Sequence, residues 1–131
     1  MADIKQLIKM CLSKDGQILS LKAKYIREAG AKVLAQCEEL ANVRAMDLSQ
    51  NDIGDTGVKA IAESPYFTNL RVLNLKSNKI TDVGAMSLAN SKTLGNVRSL
   101  QLVVNDLGEE GEKALRTSTC LMNLTSLKFR V

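Results

Sequence analysis

"RVLNLKSNKITD", residues 71–82, reads at first like one half-buried strand: Leu73 and Leu75 alternate with Asn74 and Lys76. Side chains that alternate between apolar and polar point to opposite faces of an extended chain. The alternation stops at Asn78, after which come Ile80 and the acid Asp82. The segment is therefore a strand followed by a turn, and the amide at 78 belongs to the turn.

The same segment recurs at a constant spacing of 27 residues with no insertion. Leu75 aligns with Leu21, Leu48, Leu102 and Phe129, and Leu73 with Leu19, Met46, Leu100 and Leu127. Ile80 aligns with Ile26, Ile53 and Leu107. A fixed period of about 20 to 50 residues is the signature of a stacked solenoid. Beyond each turn the pattern becomes helical, with an acid, a glycine column (Gly30, Gly57, Gly84, Gly111) and an apolar column (Leu34, Ile61, Leu88, Leu115). Each unit is a strand, a turn and a helix. Because a helix returns the chain to the same end every time, successive strands are expected to be parallel.

The residues "LRVLNLKSNKI" match the pattern LxxLxLxxNxL, and on that match the chain resembles the leucine-rich repeat family. The long helical half with its glycine is similar to the ribonuclease-inhibitor-like subclass. The resemblance implies an α/β fold: a right-handed solenoid in a short horseshoe arc, with a parallel five-strand concave sheet and convex helices. It covers residues 16–131 as units 16–42, 43–69, 70–96 and 97–123 and a terminal strand 124–131, preceded by a cap helix in 1–15, all within one domain over 1–131. It also implies that the column Asn51, Asn78, Asn105 hydrogen-bonds the turn backbone of stacked units. Unit one departs from this pattern, with Lys24 in the Asn column and Gly16 in the first apolar column. A lysine cannot accept such bonds.

Terminal units of a solenoid need caps, since each buries only one flank of its own core. Ile4, Leu7, Ile8, Cys11 and Leu12 form one stripe of an amphipathic helix, with Asp3 as its N-cap. At the other end the sequence carries no equivalent stripe. Leu121, Leu124 and Phe129 are expected to lie uncovered beside an edge strand, open to a second copy of the chain or shielded by Lys128 and Arg130. Acids Glu28, Asp55, Asp82 and Glu109 stand where each helix starts, as caps rather than ligands of a cation. Asn42, Asn69, Asn96 and Asn123 precede each strand and are expected to make local turns with left-handed backbone. Ser64, Ser91 and Ser118, with Cys37 in the same column, fall at helix ends.

Catalysis finds no support in the sequence. With no histidine, no Ser-His-Asp or Cys-His pair can be drawn, and imidazole metal sites are absent. There is no GxxxxGK[ST] loop and no strand-linked GxGxxG. Neither catalytic residues, nor a metal site, nor a cofactor is expected. Cys11, Cys37 and Cys120 make an odd count without CxxC spacing, which favours reduced thiols. No stretch is apolar enough for a membrane span, and "MADIKQLIKMCLSKDG" is unlike a signal peptide, so a cytoplasmic protein is expected.

The concave face carries the remaining information. Between the inward leucines, the outward set includes Lys22, Arg44, Asp47, Ser49, Arg71, Asn74, Lys76, Arg98, Gln101, Val103, Lys128 and Arg130. It holds seven basic residues and one acid, a charge of +6 against +4 for the whole chain. Arg44, Arg71 and Arg98 fall on neighbouring strands about 4.8 Å apart, inside a Debye length of about 8 Å. Their mutual repulsion is relieved by anions. The face is thus expected to bind an acidic protein partner, with nucleic acid or another polyanion, or regulation of an enzyme, as alternatives. Aromatic platforms interleaved with the outward basic residues are missing, which weighs against nucleic acid.

Overall fold

The structure, a computed structural model, describes residues 3–130. The first helix, α1 (Ile4–Cys11), starts where Asp3 accepts a hydrogen bond from the Gln6 N–H at 3.2 Å, as its N-cap position requires. Its stripe faces the core: Ile4 and Ile8 are buried, and Leu7, Cys11 and Leu12 pack partly buried against it. After α1 the chain folds back on the first strand, β1 (Ile18–Ser20). Leu12 bridges Leu19 in antiparallel sense, the Ser13 N–H donates to the Ile18 carbonyl at 2.9 Å, and the Ile18 N–H donates to Ser13 Oγ at 3.0 Å. These contacts cover the first sheet edge, the position at which an open strand invites pairing.

The remaining elements alternate: α2 (Arg27–Leu34), β2 (Ala45–Asp47), α3 (Gly54–Ala62), β3 (Val72–Asn74), α4 (Asp82–Ala89), β4 (Ser99–Gln101), α5 (Glu109–Arg116) and β5 (Ser126–Lys128). The five strands form one parallel sheet in chain order, and every pairing, such as Met46 with Leu73 and Leu73 with Leu100, is 27 residues apart. Each strand is only three residues long, since the chain must leave the sheet for its turn and helix. The core runs along the inner side of the sheet through Leu19, Met46, Leu73 and Leu100 and the columns of Leu21 and Ile26. Phe67, in the loop that links α3 to β3, is the one fully buried aromatic among the described residues.

Three ladders of polar side chains tie each unit to its predecessor. In the turns, Asn78 Oδ1 accepts from the Asn51 and Ile53 N–H groups at 3.1 and 3.2 Å, while its Nδ2 donates to the Leu48 and Lys76 carbonyls. Asn51 does the same for the turn at Lys24 and Ile26, and Asn105 for the turn at Asn78 and Ile80. On the side of Lys24 the neighbour of unit one is α1 with its return at Leu12 and Ser13, not a repeat turn, so its column tolerates the change there. In the second ladder, Asn69, Asn96 and Asn123 donate to the carbonyls of Ala41, Thr68 and Gly95. These asparagines are not in the left-handed region; the sequence expectation of a local turn gives way to a bond across units. Positive φ falls instead on residues of the strand-to-helix turns, Ala23, Tyr25 and Arg27, Gln50 and Asp52, Ser77 and Lys79, and Val104, besides Gly16 and Gly54. The third ladder runs at the helix ends, where Ser64, Ser91 and Ser118 donate to Ala35, Ala62 and Ala89 carbonyls.

The acid column works across units as well. Asp55 accepts from the Thr81 and Gly84 N–H groups at 2.8 and 3.0 Å and from the Thr81 hydroxyl at 2.6 Å, so it caps α4 rather than its own helix. Asp82 likewise accepts from Gly108 and Gly111, at the start of α5. The glycine column makes room for this approach, since a Cβ on Gly84 would stand 2.5 Å from Asp55 Oδ1. Glu28, at the first unit, pairs only with Lys32 at 3.4 Å.

At the C-terminal flank the sequence expectation needs correction. Leu121 is buried, and Leu124 and Phe129 are half-buried rather than uncovered. Glu112, nearly sealed on α5, accepts from Arg116 at 3.1 Å and from Arg130 at 2.6 Å, and the Arg116 guanidinium stands 5.2 Å from the Phe129 ring centroid. A buried carboxylate requires such partners. Arg116, one of the two arginines that satisfy it, also lies over Phe129.

Candidate partner-binding face

The arginine row stands at the strand entries, each residue directly before β2, β3 or β4 begins. The Arg44 carbonyl accepts from both the Arg71 and Val72 N–H groups, the Arg71 carbonyl from Arg98 and Ser99, and the Arg98 carbonyl from Thr125 and Ser126, all within 3.1 Å. The backbone of the arginine row is thereby held at every step. Arg44 and Arg98 are exposed and Arg71 is half-buried. Among the described residues, none of the three guanidinium groups lies within 4.0 Å of a carboxylate.

Three residues on, at the end of each strand, the outward side chains are tethered. Asp47 accepts from the Ser49 N–H at 2.9 Å and its hydroxyl at 2.6 Å, Asn74 from the Lys76 N–H at 3.0 Å, and Gln101 from the Val103 N–H at 3.1 Å. Each side-chain oxygen closes the turn that ends its own strand, so Asp47, Asn74 and Gln101 are held in place and offer a partner their remaining polar atoms. Lys128, in the same column, stands exposed.

The next column departs from the sequence expectation. Ser49 and Val103 retain only 3% and 4% of their exposure, and neither is open to a partner. Period-two alternation ends with the three-residue strand, and these positions lie in the turn, where their carbonyls accept from Ala23 and Ser77 of the preceding units. Arg130, in this column too, turns to Glu112 on α5 instead of joining the concave face. Lys22 remains exposed and Lys76 half-buried. The face thus retains Lys22, Arg44, Arg71, Lys76, Arg98 and Lys128 as cations beside the one carboxylate of Asp47.

Ion pairs gather elsewhere, joining Lys5 to Glu39, Lys32 to Glu28, Lys59 to Glu63 and Lys79 to Asp52. The hydrogen bond to Glu39 raises the Lys5 pKa; Glu39 is held below the usual carboxylate range by its own backbone N–H and by Lys5. Among the described residues the cations assigned to the concave face have no such partners, and a field of this kind is open to solvent. Among them runs an aliphatic strip: Ile18 and Val72, 55% and 44% exposed, flank the smaller Ala45 with which both pair in register. At the strand entries a polar cleft of about 290 Å³ is lined by Asn69, Arg71, Asn96, Arg98 and Asn123. An apolar cleft of about 480 Å³, lined in part by Ile4, Tyr25, Ile26 and Val33, flanks α2 in the first unit. Sequence reading missed this second cleft; its one signal was Lys24, the mark of an edge unit whose neighbouring Tyr25 is left exposed.

No helix among the described residues is long and apolar enough to cross a membrane. Among these residues, no group of three or more His, Cys, Asp or Glu side chains is placed to hold a metal ion. Comparison with known proteins agrees with the geometry. No curated protein matches the chain. Among solved structures it is similar to the tropomodulin C-terminal domain of Caenorhabditis elegans, at 18% identity and a TM-score of 0.70, over 99% of this chain and 84% of that one. At this identity the likeness is one of fold. The family model described as Leucine Rich repeat matches residues 39–62 and 68–89, the second and third units of the register found here. Residues 39–62 and 68–89 thus match the leucine-rich repeat model, and the in-register sheet from β1 to β5 carries the same 27-residue unit, with a leucine-rich-repeat-like fold, along the described chain.

Proposed function

We propose that the chain is a non-enzymatic protein–protein interaction module that binds an acidic partner on its concave face. The observation that supports this most is a set of cations without ion-pair partners: of the six basic side chains assigned to the face, none lies within 4.0 Å of a carboxylate among the described residues. Such a field accelerates the approach of an oppositely charged surface and suppresses wrong partners. Ile18, Ala45 and Val72 add a small apolar contact beside it, and the bonds to Ser49, Lys76 and Val103 hold three of the polar side chains in position before a partner arrives. A surface held in advance loses less entropy on binding. The helical half of every unit favours the ribonuclease-inhibitor-like subclass for this scaffold.

The test compares the wild-type chain with the R71E/R98E double variant as bait for partners in extract of the source cell. Partners captured in a salt-sensitive way by the wild type should be lost with the variant; retained capture contradicts the reading. A gel-shift against random DNA and RNA at two salt concentrations decides the polyanion alternative, for which the concave face lacks aromatic platforms.

A further inference from the structure

The cleft at the strand entries has a composition that the packing of the solenoid does not account for. Its asparagines are explained in part: Asn69, Asn96 and Asn123 each donate one Nδ2 hydrogen to a carbonyl of the preceding unit, at 2.9, 2.7 and 2.8 Å. Those bonds aim the amides and leave each a second N–H that no acceptor among the described residues takes. The arginines are not explained. Arg71 and Arg98 make no side-chain hydrogen bond or ion pair among the described residues, although they stand on adjacent strands and repel one another. Their backbones are clamped by paired N–H donors, which limits how far the guanidinium groups can part. Two neighbouring positive charges and a set of aimed amide donors form the lining, and among the described residues no carboxylate contributes to it.

Resting on the reading of this surface as a partner face, we propose that the cleft seats a phosphate monoester carried by a phosphorylated side chain of the protein partner. A carboxylate brings one negative charge and two oxygens, enough for one guanidinium fork. A phosphate monoester brings a charge of about −1.5 to −2 at neutral pH and three acceptor oxygens, which suits two forks and the amide donors together. Arg71 and Arg98 directly precede Val72 and Ser99, the first residues of β3 and β4, so the chain bearing the phosphate is taken to lie along those strands.

The experiment is an NMR titration of the isotope-labelled full chain with inorganic phosphate, O-phosphoserine and acetate in separate arms, each at constant ionic strength. Expected are saturable shifts confined to the side-chain amides of Asn69, Asn96 and Asn123 and the Nε–H groups of Arg71 and Arg98, with acetate weaker. R71Q and R98Q should each weaken phosphate binding about tenfold, as for loss of one charge-assisted hydrogen bond, and K59Q on the convex side should leave it unchanged. Shifts that do not saturate, or that spread equally over Lys22, Lys76 and Lys128, overturn the proposal. So does acetate binding as tightly as phosphate. If phosphate fails to saturate while R71E/R98E still loses the partner, the seat falls and the acidic-partner reading stands. Saturable phosphate binding together with partner capture indifferent to R71E/R98E sinks the partner face instead.

Discussion

Asn78 shows what one side chain does in this molecule. Fully buried, it accepts from two N–H groups of the turn in unit two and donates to two carbonyls; in N78A the two N–H groups lose their acceptor, while the Leu48 and Lys76 carbonyls keep Asn51 Nδ2 and the Gln50 N–H as donors. Unpaired buried polar groups cost about 1–3 kcal/mol each, and we expect N78A to lose about 3 kcal/mol or more in urea denaturation. Asn42 makes no side-chain bond among the described residues, and N42A should stay within about 0.5 kcal/mol of wild type. Equal losses in the two variants would show that the ladder is not what stabilises the turns. Cys37 offers a second test at this scale. Burial pushes its thiol pKa up, with Glu39 adding to the shift, so the thiolate is scarce near neutrality. Alkylation of the native chain should modify the half-buried Cys11 and Cys120 well before Cys37, and labelling in the reverse order contradicts the burial assigned to it. The asparagine column was legible from the sequence because the amide recurs in three successive units. The bonds of Asn69 and Asn96 were not, since local turn and inter-unit tie place the same residue at the same step.

At the scale of elements, helices dock through the pairing of an acid in one unit with a glycine in the next. Alanine at Gly84 would bring a Cβ to 2.5 Å from Asp55 Oδ1 and 2.8 Å from Ile80 Cγ2. G84A should therefore destabilise the chain by about 1–3 kcal/mol, as overpacking does, and in a double-mutant cycle with D55A the losses should not add. Strict additivity would separate the two residues. The sequence displayed both columns but suggested that each acid caps its own helix, because strand-to-helix spacing says nothing about which neighbour lies closer. Between α1 and β1, Asp15 accepts from the Ser13 hydroxyl and the Gln17 N–H, which hold its pKa below the usual carboxylate range. A lowered folded pKa contributes stability above the unfolded value that disappears as pH falls through the folded one. The gap in Tm between wild type and D15N should be largest near neutrality and close in strong acid; a gap independent of pH contradicts the role given to this carboxylate.

At the scale of the whole molecule, the proposed face can be drawn from the sequence as far as the register runs, since a constant register assigns each strand residue to a side. What the sequence missed lies where the register ends: Val103 and Ser49 turn inward after three-residue strands, and Arg130 leaves the face for Glu112. Arg130 satisfies a buried carboxylate on α5, a contact that no spacing rule along β5 announces. Correcting these positions leaves the arginine row untouched and narrows the account to Lys22, Arg44, Arg71, Lys76, Arg98 and Lys128. The most direct test uses a fluorescent poly-glutamate peptide and two charge-reversed chains of equal net charge, R71E/R98E on the concave face and K32E/K59E on the helices. The account predicts that anisotropy reports salt-sensitive binding to wild type and K32E/K59E, and a drop of about tenfold or more for R71E/R98E. Equal weakening of the two variants would mean that net charge alone attracts the peptide, and would contradict a face built to receive an acidic partner.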